Sequence, residues 1–328
     1  MKKQGKILSV FAVIFLFASL PAFSQMNELE DLQDTVKSFS EAMAKSLPFY
    51  STIGLNWSDA HIGQLLGMPP RFGFGFSAGA TTMDIDSIKG LLNQFGNFEE
   101  LPELSGFPLP GYAIEARIGG IILPFDIGLK FGYLNMDIET VNIDYMLFGG
   151  DFRYSLLDFR FLRFSVGVGF NHLKGGVSTT LSEIGERFSF YDGTNFRTLE
   201  MSDPEIGLNW ETSTLEFKAQ ISFPLFIITP YAGMGINYAW SKSGYNVSSR
   251  VTVDGGPITA EIAGILREIG ITGIRDTGFE SIIETSDWNM RLFGGLSLNL
   301  FVIKLDMTAM YNIRDNGLGA TVGLRFQL

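Results

Sequence analysis

From residue 70 onward, apolar and polar residues alternate with a period of two. In the stretch RFGFGFSAGAT, Phe72, Phe74, Phe76, Ala78 and Ala80 share one face, while Gly73, Gly75, Ser77 and Gly79 share the other. Successive side chains of a β-strand point to opposite faces, so the pattern predicts a strand over 71–82. The alternation recurs over 112–118, 125–133, 146–154, 162–170, 215–223, 228–240, 288–298, 303–311 and 318–328, which makes ten strands. Most reach roughly nine residues or more, the length a tilted strand needs to cross a bilayer. Ordinary globular strands average about five or six.

The connections sort into two sets. Short turns are expected near 122–125, 156–160, 223–226 and 300–302, and long connections at 84–110, 175–206 and 242–286. Two more, near 138–141 and 314–317, are short but fall on the side of the long ones. Short turns at one end and longer loops at the other are the layout of an outer-membrane barrel. A helical membrane protein is one rival, because 221–240 is free of charge for twenty residues. That stretch holds Pro224, Pro230, Gly233 and Gly235, and its apolar face changes parity around Pro224, as a hairpin requires. A soluble β-sandwich or barrel is the other rival. Strand length, loop asymmetry and aromatic residues near strand ends (Tyr112, Tyr154, Tyr238, Trp240, Trp288, Tyr311) favour the membrane. Backbone groups in lipid must all be paired, so the sheet must close. The predicted fold class is all-β, a closed antiparallel transmembrane β-barrel of about ten strands, with twelve as the alternative.

Upstream the period changes to 3.6. Leu29, Leu32, Val36, Phe39 and Met43 predict an N-terminal amphipathic helix over 27–46, which Pro48 is expected to end. Before it, Lys2, Lys3 and Lys6, an apolar run over 7–20, and the small residues Ala22 and Ser24 make an export signal. The expected organisation is a signal peptide at 1–24, a helix and pre-barrel segment at 25–70, and the barrel at 71–328. Without the three signal lysines, 21 basic residues face 35 acidic ones, a net charge of −14. Such a chain lacks the basic footprint of a nucleic-acid binder. It has no cysteine, which excludes disulfides, thiol catalysis and cysteine metal sites.

With apolar faces turned to lipid, the candidate lumen-lining residues are Glu115, Arg117, Lys130, Arg153, Arg163, Lys218, Arg291, Lys304, Asp306 and Arg325, together with Asp126, Asp151 and Glu216. Eight bases against five acids give the lumen a charge of +3 inside an acidic chain. Residues 25–46 carry −3, so the helix is a candidate plug, and inward glycines such as Gly73 leave room for it. In the competing reading the lumen charges pair across strands and the helix stays in the periplasm.

No cofactor, metal site or enzymatic activity is expected. The two histidines, His61 and His172, lie far apart in the chain, and His172 has only nearby serines at 178–182 as potential partners. Two loop segments, 85–96 and 258–270, repeat apolar residues at helical spacing and are expected to pack on each other as a lid, the alternative being an entry site for an apolar ligand.

The layout over 71–328 resembles bacterial outer-membrane β-barrel proteins. Such proteins often end in an apolar, aromatic-rich strand read by the barrel-assembly machinery. Leu324, Phe326 and Leu328 match that alternation, with Leu in place of the usual terminal Phe. The pre-barrel segment and apolar loop helices also resemble the long-chain fatty-acid transporter family, although the chain lacks that family's Asn-Pro-Ala motif and its larger strand number. The resemblance implies localisation in the outer membrane, with membrane lipid and the assembly machinery as partners. The expected function is porin-like transport, the passage or binding of a small solute, with apolar solutes among the candidates. The alternative is a structural or surface-interaction protein acting through its extracellular loops.

Overall fold

The computed structural model describes residues 26–66, 70–84, 106–138, 141–180, 186–191, 195–268, 274–275 and 278–328. The expected signal peptide and the loop helix at 85–96 lie outside the described residues. Among the described residues, twelve strands follow a helix, α1 (Met26–Tyr50). They are β1 (Phe72–Met83), β2 (Phe107–Gly119), β3 (Phe125–Ile138), β4 (Val141–Phe159), β5 (Leu162–Thr180), β6 (Glu186–Tyr191), β7 (Phe196–Ser222), β8 (Ile228–Val253), β9 (Ile274–Arg275), β10 (Gly278–Leu300), β11 (Ile303–Asn312) and β12 (Leu318–Gln327). A second helix, α2 (Ala260–Glu268), sits between β8 and β9. Ten strands form the wall. Each pairs antiparallel with its neighbours, and the β1–β12 and β10–β11 ladders close the ring. The short β6 and β9 pair with β7 and β10 above that ring. The closed wall is therefore ten-stranded, and 50–62 adds no strand to it.

The two faces are inverted relative to a water-soluble barrel. On β12, Val322 and Leu324 are exposed while Thr321, Arg325 and Gln327 are buried. Outward Phe131, Phe217 and Leu129 are likewise exposed, and inward Arg117, Arg153 and Glu216 are buried. An apolar exterior around a polar interior is stable in lipid and unstable in water. The chain is a bacterial outer-membrane barrel, with its short turns toward the periplasm and its longer connections outside.

Two expectations about the connections need correction. Most of 175–206 and 242–286 is strand, not loop: β7 has 27 residues, β8 has 26 and β10 has 23. At about 3.3 Å per residue, β7 alone extends for roughly 90 Å, far beyond an apolar band of about 25 Å. The wall is lopsided, since β11 and β12 have ten residues each. The described loop helix α2 is capped by Thr259, whose hydroxyl accepts from the Ile262 N–H at 3.3 Å, and it buries Leu266.

One seam of the wall is incomplete. The β2–β3 ladder runs only from Gly119 and Asp126 to Ile114 and Phe131, although both strands continue upward. The sequence of β2 there is FPLPGY. The Tyr112 carbonyl faces Gly132 of β3, and Pro108 and Pro110 share its parity. The donors those prolines lack would therefore have pointed into the parted seam. Tyrosines take over as donors: Tyr145 reaches the Tyr112 carbonyl at 3.0 Å, and Tyr50 bonds the Pro110 carbonyl.

Helix α1 also departs from expectation, because Pro48 lies inside it. It ends two residues later, where the following residues satisfy its last carbonyls. Ser51 Oγ donates to the Pro48 carbonyl at 2.8 Å and Thr52 Oγ1 to the Phe49 carbonyl at 2.7 Å. Tyr50 lies in the loop half of the barrel beside Pro110, whereas the Leu65 N–H meets the Gly120 carbonyl at the β2–β3 turn. The chain thus enters the lumen at the loop end, runs down its length and starts β1 at the turn end.

Candidate functional site

The site is the lumen itself. Every residue from Ser51 to Ile62 is buried, as is most of Phe39–Tyr50. The upper part is apolar. Phe39, Met43, Leu47, Tyr50 and Ile53 pack against Met83, Leu109, Ala113, Tyr145, Leu147 and Leu173 of the wall. A smaller cluster joins Phe49 to Tyr231, Phe293 and Met310.

The lower part is polar and held from all sides. Asp59 is the centre of it. Its carboxylate accepts from Lys304 Nζ at 2.7 Å and Arg325 Nη2 at 3.0 Å, with Arg163 Nη1 at 3.5 Å. Burial alone would push the Asp59 carboxyl up. Lys304, Arg325 and Arg163 outweigh that and hold it far below the ordinary carboxylate range.

The other wall cations bind backbone carbonyls of the segment. Lys130 Nζ donates to Ser51 and Ile53, both at 2.7 Å. Arg153 Nη1 donates to Asp59 at 2.8 Å, and Arg163 Nη1 to His61 at 3.0 Å. Arg291 Nη1 reaches Asn56 Oδ1 at 3.1 Å. Gln220 Nε2 spans the Trp57 and Ser58 carbonyls, and the Tyr231 hydroxyl donates to Asn56 at 3.1 Å.

Trp57 lies between two guanidinium groups, Arg325 at 4.6 Å and Arg117 at 5.5 Å from its rings, and its indole N–H donates to Glu115. Gly73 makes this fit: a Cβ there would stand 2.9 Å from the Trp57 ring. His61 Nδ1 lies 3.3 Å from Asp126 Oδ2.

Wall charges also pair among themselves. Arg117 bridges Asp126 and Asp151, Lys218 bonds Asp151, Arg291 bonds Glu216, and Arg325 bonds Asp306. Both arrangements foreseen for the lumen charges therefore coexist. All ten candidate lumen-lining residues point inward. Six of them (Lys130, Arg153, Arg163, Arg291, Lys304, Arg325) bind the inner segment directly, Arg117 and Glu115 meet Trp57, and Lys218 and Asp306 bind wall partners.

The plug expected from helix charge is corrected in one respect. Among the described side chains of the segment, the carboxylate that meets the lumen cations is Asp59, in the irregular stretch, and Glu41 on α1 is only half-buried. Asp59 is the single charged residue between Lys45 and Arg71, and that isolation was the available sequence signal. Two cavities beside the segment are about 10 Å³ each, room for one water.

His172 takes no part in the lumen. It lies on the outer face of β5, 2.9 Å from Ser213 Oγ on β7, with its ring 4.9 Å from Phe148. Its hydrogen-bond partner is thus Ser213, and Ser182 lies outside the described residues. No cluster of His, Asp and Glu able to hold a metal ion occurs among the described residues.

A family model described as Lsa36-like matches residues 67–328. No curated protein matches the chain. Among solved structures, the outer-membrane protease OmpT of Escherichia coli aligns over 79% of this chain and 97% of its own, at 11% identity and a TM-score of 0.38. A major outer membrane protein of Thermus thermophilus covers 78% and 99%, at 10% identity and a TM-score of 0.31. Ail, the attachment invasion locus protein of Yersinia pestis, covers 79% and 97%, at 11% identity and a TM-score of 0.28. Likeness of this depth carries no argument about activity.

Proposed function

The chain belongs to the Lsa36-like family, and from that premise we propose that it is a sealed outer-membrane anchor acting through the part that stands outside the bilayer. The filled lumen carries this reading. A porin keeps a water-filled path, whereas here Phe39–Ile62 occupies the interior and the inward cations are engaged by it or by wall acids. Passage of a solute would require that stretch to leave, and its exit would strip Asp59 from three cations at once.

The exposed extension of β7, β8 and β10 is the surface available to extracellular molecules. On its outer side, β10 has no strand neighbour over 281–286 among the described residues, and Ile282 and Glu284 are exposed there, whereas the Trp288 carbonyl below is already capped by Arg314 at 3.2 Å. Sheet edges with free backbone groups take up extended segments of other chains. Leu324 and Phe326 of β12 fit the alternation that the barrel-assembly machinery would read during insertion.

Planar-bilayer recording tests the reading. The full chain is expected to insert without a stable conductance step, and a variant lacking residues 26–62 is expected to conduct. Equal conductance of the two would restore solute passage as the function.

A further inference from the structure

The two ends of the barrel use opposite turn chemistry. At the loop end, the tight turns at Asp254-Gly255 and Asn316-Gly317 place Asp254 and Asn316 at φ 50° and 55°. Small polar residues and glycine are what left-handed turn positions favour. At the periplasmic end the turns read IILPF, FPLFII and LFVI. Their tips are bare: Ile122 is 76% exposed, Phe226 99% and Phe301 102%. Phe159 and Phe161 of the β4–β5 turn and Leu66 of the inner segment are exposed at the same end.

Turn geometry does not explain these residues. Phe301 has φ 58°, in the left-handed region where a bulky side chain is strained and glycine would fit at no cost. The lipid-facing pattern does not explain them either, because it needs only every second residue, and here consecutive residues of both parities are apolar and exposed. Contiguous exposed apolar surface of this kind marks an interaction site.

The height of the ring identifies the partner. Tyr238, Trp240 and Trp288 pack edge to face at 5.0 and 5.1 Å on the outer surface and mark the upper membrane boundary. Twelve residues separate Trp240 from Ile228 at the foot of β8. At about 2.5 Å of height per tilted residue they span roughly 30 Å, more than an apolar band of about 25 Å. The turns therefore lie just beyond the lower edge of the hydrocarbon and continue the lipid-facing belt; an exposed carboxylate at that level, Asp158, is paired with Arg163 at 2.9 Å. A cation is present at that level: Arg160 Cζ lies 5.4 Å from the Phe161 ring.

We propose that the turn end is a phospholipid-binding surface seated in the inner leaflet, with its apolar tips at the acyl boundary and Arg160 on a lipid phosphate. The barrel then ends in membrane and not in periplasmic water. This holds whether or not the lumen conducts.

The absence of cysteine from the chain permits a direct test. Nitroxide labels are placed in full-length Ile122→Cys, Phe226→Cys and Phe301→Cys variants, with Tyr191→Cys on β6 as the loop-side control. The proteins are reconstituted in vesicles of phosphatidylethanolamine and phosphatidylglycerol. The turn labels are expected to collide with oxygen and to lose access to a water-soluble nickel chelate, and the Tyr191 label is expected to show the reverse. In a background with Trp210, Trp240 and Trp288 replaced by Phe, which leaves only the buried Trp57, a Phe301→Trp variant quenched by brominated phospholipid but not by aqueous iodide gives the same answer without a label. Turn labels as open to nickel as the Tyr191 label, or iodide quenching of the indole introduced by Phe301→Trp, would overturn the proposal and leave a periplasmic protein as the occupant.

Discussion

The inner segment has two halves that solve the same problem differently. Phe39–Tyr50 is helical, satisfies its own backbone, and presents Phe39, Met43 and Leu47 to apolar wall residues. Ser51–Ile62 is irregular, so its carbonyls need outside donors, and Lys130, Arg153, Arg163, Gln220 and Tyr231 supply them. A helix needs only a greasy neighbour, whereas an irregular strand of chain in a barrel needs a wall built around each carbonyl. The loop half is therefore held by area and the turn half by named partners.

The largest effect should come from removing the centre of the turn half. In Asp59→Ala, Lys304, Arg325 and Arg163 are left facing one another, and breaking a buried pair costs about 3–5 kcal/mol. Amide exchange of residues 56–62 should accelerate while that of 39–50 changes little. The same carboxylate sets an acid limit. Its folded pKa lies below its ordinary 3.8, so its contribution is complete above about pH 4 and declines as the pH falls further. Loosening of 56–62 already between pH 7 and 5 would exclude Asp59 as the cause.

The loop half should fail by a different route. Leu47→Ala removes a fully buried side chain and should cost about 2–5 kcal/mol. Its cost should not vary between pH 7 and pH 3. Its pH limit is alkaline. Burial, and then the neighbouring Tyr145, raise the Tyr50 hydroxyl well above its ordinary 10.0. Neutral Tyr50 therefore stabilises the fold below about pH 10, and that contribution falls as the pH rises beyond it. Exchange at 39–50 measured between pH 9 and 11, corrected for intrinsic rate, checks this. A loop half that loosens in acid before alkali would contradict the division.

The same contrast decides what could be read in the sequence. The wall was legible because lipid demands an apolar face, and Phe74, Phe76, Leu324 and Val322 alternate with inward partners in strict parity. The upper parts of β7, β8 and β10 were not legible. Just beyond Trp240 the buried inward residues of β8 are Ser241 and Ser243 and the outward one is Lys242, so polar residues stand on both faces and SKSGYNVSSR shows no apolar alternation although the ladder continues. The lumen cations could be listed from parity, since Arg117 and Arg325 fall on the inward phase. Their partners could not, because most are carbonyls at Ser51, Ile53, Asp59 and His61, and a carbonyl leaves no mark on residue identity. Helical charge pointed to 25–46, while the binding geometry selected Asp59.

The smallest predicted effect is the one that asks whether the halves act together. Tyr231 is buried at their junction, with its ring beside Phe49 and its hydroxyl donating to the Asn56 carbonyl at 3.1 Å. Tyr231→Phe keeps the ring and deletes the donor, so the packing of the loop half survives while one carbonyl of the turn half loses its partner; the hydroxyl's other bond, to Thr308 Oγ1, joins wall to wall and is the same whether the segment is in or out. The loss should be about 1 kcal/mol, close to the net worth of one neutral hydrogen bond, or roughly a fivefold rise in exchange. If the halves are independent, that rise is confined to 56–62. If they move as one body, residues 39–50 exchange faster by the same factor, because opening either end then requires the whole segment to leave the lumen.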